Sequence, residues 1–464
     1  MDPKAAVRSW LPAGGPARRL VAAALVDSLG TGLFLAGSAL FFTRALGLST
    51  VQVGIGLSLT GLAGFLGMVP TGRLADRIGG KRALVALYLW RGACFCVYPF
   101  AREPEVFYVV AFLIGVAEWG GGPIVQGIVG AVEGDAARVR TMAVIASVRN
   151  VGFSAGAVLA SLVLALDDTT AFSALVLADA LTFFAAAAVL TRLPAAANVR
   201  SPRARDGRAP TRVRDPRFLA LAFLNGVLFL HSVLLAAALP LWIATRTEAP
   251  TWVIGGVVVL NTALVILLQV RLSGGADDLR NAARRQRWAG WCLAACCLLT
   301  ALTARVGPVA ATVLVAAATL VLTLGEIWQS VGAWRLSYAL SPPESRAYHL
   351  SVYELGTSAA SAVGPALITW AVAGNGTTGW AALAAGFAVA GSLVVVIAAG
   401  AARGIRTPEP PGKAHEPHET PHETAPEPPA TAHEPQKLHA LHEPSGPHKA
   451  HEPREPHETI AKER

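Results

Sequence analysis

Charged residues are scarce in this chain. Histidines and cysteines with the spacing of a catalytic or metal site are also scarce. Only 15% of the 464 residues are charged, against about a quarter in an ordinary soluble protein. Before residue 403 there are just two histidines, His231 and His349. The five cysteines all lie in apolar stretches without metal-ligand spacing, so neither a disulfide framework nor a metal site is expected. No Gly-x-x-x-x-Gly-Lys-Ser/Thr loop is present, which argues against an ATP-driven pump.

What the chain has instead is apolar sequence, 53% by residue, gathered into long runs. Runs of roughly 18–25 residues have the length that a helix needs to cross a bilayer. The pattern predicts an all-α membrane protein with twelve transmembrane helices. We expect the first run to remain as a membrane helix, because it lacks the short apolar core and cleavage site of a signal peptide. The predicted starts are near Leu20, Val51, Ala83, Val106, Thr141, Thr170, Phe218, Trp252, Trp288, Val309, Leu350 and Thr378.

The basic residues predict the orientation of these helices. With both termini in the cytoplasm, all but six of the 39 lysines and arginines fall in cytoplasmic segments, as the positive-inside rule requires. This distribution also explains the net charge of +9 without a nucleic-acid partner. We therefore expect a multi-pass protein of the inner (plasma) membrane that contacts membrane lipids. The six exceptions are Arg44, Arg102, Arg246 and Arg305 in outer loops and Arg91 and Arg149 within spans.

Two polar segments divide the chain. An arginine- and proline-rich stretch separates the first six spans from the last six, and we interpret it as a solvated linker. The end of the chain repeats His-Glu-Pro and His-Glu-Thr and has too few apolar groups to form a core, so we expect it to be disordered. Weak metal binding, partner binding or pH sensing are alternatives to a tail without a role. The predicted segments are 1–17, an N-terminal six-helix bundle at 18–192, the linker at 193–216, a C-terminal six-helix bundle at 217–402 and the tail at 403–464.

The two halves resemble each other at a shift of 208 residues. Gly-Val-Ala-Glu-Trp around Glu118 matches Gly-Glu-Ile-Trp around Glu326, and Arg138 and Gly156 align with Arg346 and Gly364. Because six spans separate the copies, both enter the membrane from the same side. They are therefore parallel repeats related by an axis along the membrane normal, with room for a site between them.

The loop between spans two and three carries a recognisable motif. Residues 72–84 read Gly-Arg-Leu-Ala-Asp-Arg-Ile-Gly-Gly-Lys-Arg-Ala-Leu, which resembles the signature loop of the major facilitator superfamily, with Gly80 where a basic residue is usual. The resemblance covers about residues 18–402. It implies a secondary transporter whose two six-helix bundles alternate access to a central cavity lined by spans 1, 4, 7 and 10.

The resemblance also implies a conformational latch in this loop. Asp76 is expected to cap the start of the eleventh helix near Tyr348 and so to favour the outward-facing state. Glycines would permit the tight turn and close helix approach, and basic residues would pair with acids or lipid phosphates. The predicted latch consists of Gly72, Asp76, Arg77, Gly79, Lys81 and Arg82.

Ionisable residues within spans are costly and therefore mark candidate functional positions. They are Asp27 in span one, Glu118 in span four, Arg149 in span five, Glu326 in span ten and Glu354 in span eleven. For each we consider proton coupling or substrate binding against a structural ion pair. The coupling role is favoured for Asp27 and Glu326, and a structural pair with Arg149 is slightly favoured for Glu118.

Other polar residues in the spans are assigned less direct roles. Arg149 is expected to be the counter-ion of Glu118 or Asp27. Arg91 and Asp179 are placed peripherally by the resemblance. A neutral, hydrogen-bonded role is favoured over a proton relay for His231. We expect interhelical hydrogen bonds from Asn225, Asn261 and Gln269.

The function that these features favour is proton-coupled export of a drug or secondary metabolite. Gly364-Pro365 in span eleven, with Gly152 and Gly156 in span five, partly resembles the antiporter signature of drug exporters. Import of sugars or organic acids, a transporter-like sensor and a membrane-embedded enzyme are the alternatives, and the last lacks clustered catalytic residues. We expect a monomer without a cofactor whose partners are protons and a small-molecule substrate.

Overall fold

The computed structural model describes residues 12, 15–133, 135–164, 169–198, 200, 213–274 and 278–405. These residues are all-helical and contain twelve helical segments long and apolar enough to cross a membrane, which confirms the predicted fold class. The tail, most of the linker and most of the N-terminus lie outside them. The helices are α1 (Gly15–Leu40), α2 (Thr50–Ile78), α3 (Gly80–Val97), α4a (Pro104–Glu118), α4b (Gly121–Val132), α5 (Asp135–Leu164), α6 (Thr169–Thr191), α7a (Pro216–Phe229), α7b (Leu239–Arg246), α8 (Trp252–Leu272), α9 (Leu279–Leu302), α10 (Pro308–Ala339), α11 (Arg346–Thr369) and α12 (Asn375–Ile405).

Several helices begin earlier than their apolar runs, and the difference is largest for α9. We predicted its start near Trp288, whereas α9 begins at Leu279. Asp278 caps it by accepting a hydrogen bond from the backbone N–H of Asn281 at 2.6 Å. The first turns carry arginines, so they extend beyond the apolar run that predicted the span. For the same reason α11 begins at Arg346 and not near Leu350.

The fourth span is broken, a feature that we did not predict. α4a ends at Glu118, and α4b begins at Gly121 after a bend at Trp119–Gly120. The cause is local sequence. Three consecutive glycines, Gly120 to Gly122, weaken the helix, and Pro123 lacks the N–H that would bond the carbonyl of Trp119. Glu118 therefore lies at the helix break, in the middle of the span.

The seventh span is irregular as well. After α7a ends, His231–Val233 forms one helical turn and Leu234–Ala238 is π-helical before α7b begins. Such π-helical insertions are rare and are frequent at functional sites. Pro240 in the first turn of α7b is compatible with a helix start.

Each set of six helices packs around its own apolar side chains. One buried cluster draws on α7a to α12 and includes Trp242 and Trp380. Two others fill α1 to α6, one around Ile124 and one around Phe183. All five cysteines are free, and Cys296 and Cys297 are fully buried among apolar neighbours. The division into six-helix bundles at the predicted boundaries stays a prediction.

The two sets of helices meet at one end of the molecule. We call it the motif side, because it carries the Ile78–Gly80 turn between α2 and α3. There Val139 of α5 packs with Ile327 and Val331 of α10. Ser358 Oγ of α11 donates a hydrogen bond to Met68 Sδ of α2 at 3.7 Å. Of the hydrogen bonds between the two sets, this one lies farthest from the motif side. Within the described residues, no hydrogen bond or ion pair joins the two sets beyond that level, so the polar contacts between the sets are confined to the motif-side half of the molecule.

Candidate functional site

Asp76 of α2 caps α11 across the interface. Its Oδ1 accepts a hydrogen bond from the Ala347 N–H at 3.1 Å and its Oδ2 accepts one from the Tyr348 N–H at 3.0 Å. These N–H groups belong to the first turn of α11, where no intrahelical partner exists. The residue before the helix, Ser345, makes no capping bond with its side chain. The cap of α11 therefore comes from the other half of the molecule, at the position that the motif predicted.

Two motif glycines have steric reasons to be glycine. A Cβ on Gly72 would lie 2.3 Å from the Ser351 hydroxyl and 2.9 Å from the Ala347 carbonyl oxygen, so α2 could not lie against α11. Gly79 has a φ of 96°, a conformation that favours glycine, and Asn198 packs where its Cβ would be. Both residues thus allow the turn to bring Asp76 to the helix terminus.

Two of the basic motif residues, Lys81 and Arg82, make their contacts within their own half. The Lys81 ammonium donates a hydrogen bond to the Leu193 carbonyl, and the Arg82 backbone N–H donates one to Asn198. Arg77 is exposed. The motif cation that contacts α11 is Arg73, whose guanidinium lies 5.1 Å from the ring centroid of Tyr348. We did not predict Arg73 as a latch residue, although it belongs to the same motif.

Tyr338 of α10 forms a second interface contact. Its ring fills the space over Gly130 of α4b, where a Cβ would lie 2.1 Å from Tyr338 Cε2. Guanidinium groups cover the ring at 3.8 Å from Arg138 and 4.1 Å from Arg346. Arg346 also donates a hydrogen bond to the Tyr338 hydroxyl at 2.7 Å. A tyrosine from one half is thus held between arginines from both.

These contacts lie on the axis that relates the two repeats. Gln126 donates a hydrogen bond to the carbonyl of Trp334 at 2.9 Å, and the two positions are 208 residues apart, the shift found in the sequence. Gly130 and Tyr338 are separated by the same 208 positions. Equivalent residues of a two-fold arrangement can touch only at the axis. The contacts therefore place the axis between α4b and α10.

A buried ionic cluster lies in the N-terminal half, centred on Arg91 of α3. Its guanidinium is 2.9 Å from the Glu118 carboxylate and 3.7 Å from the Asp27 carboxylate. Their side chains are 11%, 30% and 7% exposed, respectively. Asp179 of α6 is 1% exposed and lies within electrostatic reach of Arg91. Three carboxyl groups thus surround one guanidinium, which also stacks on Phe183 at 4.2 Å.

This cluster corrects the predicted counter-ion. We expected Arg149 to pair with Glu118 or Asp27, but Arg149 is exposed and forms no salt bridge within the described residues. It does lie within electrostatic reach of Tyr88, which interacts with Asp27. Arg91, which we placed peripherally, is the counter-ion because α3 packs against both α4a and α6. Spacing along one sequence does not reveal which helices are neighbours.

Glu326 lies in a polar layer of the C-terminal half. Asn261 of α8 donates hydrogen bonds to the Glu326 carboxylate at 2.8 Å and to the Thr323 hydroxyl at 3.0 Å. Glu326 is partly exposed and forms no ion pair within the described residues. The face of α10 that carries Thr323, Glu326 and Gln329 is therefore hydrogen-bonded across helices, and no cation of the described residues neutralises it.

A second polar group lies beside it. The Asn225 side-chain oxygen accepts hydrogen bonds from Gln329 at 2.7 Å and from Gln286 at 3.3 Å, which joins three helices. His231 is 4% exposed and near Gln329 and Glu326, but neither ring nitrogen has a hydrogen-bond partner in the part of the chain described. Gln329 is within reach of the ring, so the hydrogen-bonded role favoured for His231 stays a prediction.

Glu354 of α11 is stabilised by its own helix. The Thr357 hydroxyl donates a hydrogen bond to its carboxylate at 2.8 Å. Among the described residues, no three His, Cys, Asp or Glu side chains are grouped so that they could hold a metal ion. The histidine repeats of the tail lie outside these residues.

The geometry is that of a membrane transporter, with two six-helix sets that meet at one end and buried charges near their interface. Solved structures share the fold. The chain matches a bacterial homologue of the iron transporter ferroportin in an outward-facing state (15% identity, TM-score 0.63, covering 84% of this chain and 100% of that one). It also matches the human organic anion transporter MFSD10 (16%, 0.61, 82% and 100%) and the E. coli fucose:proton symporter FucP (16%, 0.59, 83% and 98%).

The family model for the Major Facilitator Superfamily matches residues 20–333. The chain belongs to the Major Facilitator Superfamily and is a multi-pass secondary transporter. Comparison with curated protein sequences finds no match.

Proposed function

We propose that the protein exports a cationic or neutral apolar small molecule in exchange for protons. The observation that carries this proposal is the pair of acidic sites, one in each half. The N-terminal site has three carboxyl groups around Arg91, so it carries excess negative charge unless it binds protons. In the C-terminal site, Glu326 has no paired cation among the described residues. Carboxyl groups without a cluster of cavity arginines favour a cation over an anion as substrate.

We further propose that the motif side faces the cytoplasm, with both termini there and the protein in the inner membrane. The support is the arginine distribution in the sequence. In this orientation the observed contacts join the halves at the cytoplasmic side, and we propose that the central cavity opens to the outside. A proton from outside would reach Glu326 or Glu118 in this state, and substrate would leave.

The experiment for this proposal uses everted vesicles, acidic inside, with a pH-sensitive dye and a panel of lipophilic cations, antibiotics and sugars. We expect a cation to release protons from vesicles with wild-type protein. Glu326→Gln should abolish the release while the protein remains folded, because the amide keeps the hydrogen bond from Asn261 but cannot bind a proton. Glu105→Gln, at an exposed acid, is the matched control.

Other outcomes would point elsewhere. Normal coupling in Glu326→Gln would contradict the role of Glu326. Proton movement caused by sugars or organic acids in the opposite direction would favour import. Substrate movement without proton movement would remove the coupling part of the proposal.

Asp76→Asn is expected to slow transport. Both carboxylate oxygens of Asp76 accept an N–H of α11, whereas asparagine has one oxygen and would set its NH₂ against the other N–H. Loss of such a cap costs about 0.5–2 kcal/mol. In this protein the loss would destabilise the conformation in which the motif side is closed. The initial rate of proton release at saturating substrate measures the effect, with Arg77→Gln as a control at an exposed motif residue. An unchanged rate in Asp76→Asn would count against the latch.

A further inference from the structure

Two adjacent grooves flank Trp288 on the outer surface of α9, near its motif-side end. One has a volume of about 450 Å³ and lies between α9 and α12. The other has a volume of about 400 Å³ and lies between the first turns of α9 and α10. The first is lined by Arg287, Trp288, Trp291, Ser392, Val395 and Val396. The second is lined by Asn281, Arg284, Arg285, Trp288 and Trp328.

On the α9 side of the grooves, each arginine is followed by a tryptophan four residues later. Arg284 precedes Trp288 by four residues and Arg287 precedes Trp291 by four, so each arginine lies one helical turn from a tryptophan on the same face. No carboxylate in the described part of the chain lines either groove. Neither Arg284 nor Arg287 forms an ion pair within the described residues. The positive charge of this surface is therefore available to a ligand.

The depth of the grooves in the membrane follows from the same helix. The arginines occupy the first turns of α9, and the apolar part of the span begins at Trp288. Trp288 and Trp291 are 54% and 52% exposed, and Val396 of α12 is 68% exposed. Exposed tryptophans of a membrane helix concentrate at headgroup level. The grooves thus run from the headgroup region of the motif-side leaflet into the hydrocarbon.

We propose that these grooves bind an anionic phospholipid. Its phosphate lies against Arg284 and Arg287, and its acyl chains lie along the two tryptophans and Val395–Val396. Arginine suits this ligand because its planar guanidinium can donate two hydrogen bonds to one phosphate. A free phosphate would use the arginines alone, whereas a lipid also covers the exposed apolar walls.

Native mass spectrometry of the full-length protein tests this site by titration with phosphatidylglycerol and with phosphatidylcholine of the same chains. We expect tighter binding of phosphatidylglycerol. In Arg284→Gln/Arg287→Gln its affinity should fall roughly 25-fold, about fivefold for each arginine, with a smaller fall for phosphatidylcholine, because its choline offsets the phosphate charge. Arg305→Gln, an exposed arginine at the opposite end of the same span, is the matched control and should bind as the wild type does.

A second variant tests the apolar walls. Trp288→Ala/Trp291→Ala should weaken phosphatidylglycerol binding, while Trp252→Ala, which removes a tryptophan that is 67% exposed elsewhere, should not. Equal affinity for both lipids in the wild type would overturn the proposal, as would unchanged affinity in the double arginine variant. Displacement of the lipid by millimolar inorganic phosphate would reassign the site to the free anion.

Discussion

Replacing Arg91 with glutamine is expected to destabilise the folded protein by about 3 kcal/mol or more. The guanidinium neutralises Glu118 and Asp27 and lies near Asp179, and the cluster has more carboxyl groups than cations. Without Arg91, these acids would be left buried without a cation, which is more costly than losing the attraction itself. Unfolding of the purified protein in mixed micelles with increasing SDS measures the change in the free energy of unfolding.

Two further variants separate this effect from a general loss of packing. Arg149→Gln changes an exposed arginine that forms no salt bridge with any described residue, so we expect a far smaller effect. Arg91→Gln combined with Glu118→Gln removes one carboxylate with the cation and should recover part of the lost stability. If Arg91→Gln is no more harmful than Arg149→Gln, the assignment of Arg91 as the counter-ion is wrong.

Gly130→Ala is expected to open the motif side. The added methyl group would lie 2.1 Å from Tyr338 Cε2, so the halves cannot close as observed without displacing the tyrosine. Such overpacking costs about 1–3 kcal/mol. It acts on the closed state, because Tyr338 comes from the other half and leaves when the halves part. A free-energy change of 1.4 kcal/mol alters an equilibrium about tenfold, so the lower bound of about 1 kcal/mol alters it about fivefold. The fraction of molecules open on this side should therefore rise by at least about fivefold.

A cysteine at position 139 reports this opening. Val139 is 5% exposed and packs against α10, so Val139→Cys should react with a polar maleimide only when the halves separate there. We expect faster labelling, and slower transport, in Gly130→Ala. Gly122→Ala is the matched control, because a methyl group at Gly122 of α4b meets no atom within 4 Å. Adding Tyr338→Ala should restore slow labelling, and failure to do so would exclude the steric explanation.

Features that repeat along the chain could be predicted from the sequence, and features that depend on helix neighbours could not. Twelve apolar runs predicted the twelve spans, and the motif predicted where Asp76 would lie. The partner of Glu118 required knowledge that α3 contacts α4a. Arg91 and Arg149 were both visible as arginines within spans, but their distances along the chain from Glu118 are similar and do not distinguish them.

The break after Glu118 is a different case, because its signal was present. Gly120-Gly121-Gly122-Pro123 is an unfavourable helix sequence by composition alone. Hydropathy hides it, since a window long enough to detect a span averages over four small or apolar residues. Its counterpart in the second repeat lacks the proline, and α10 runs unbroken from Pro308 to Ala339. The repeats therefore agree in their glutamates and differ in the helices that carry them.

The pairing of Gly130 with Tyr338 limits how alike the two halves can become. A molecule with identical halves, such as a dimer of one half or a freshly duplicated gene, would place the same residue twice at this crossing. Two tyrosines would collide and two glycines would leave a hole, so complementary sizes require that the copies diverge. A chimera with two C-terminal halves would place two tyrosines at this crossing, so its motif side could not close. The two halves must therefore differ at this pair of positions for the motif side to close.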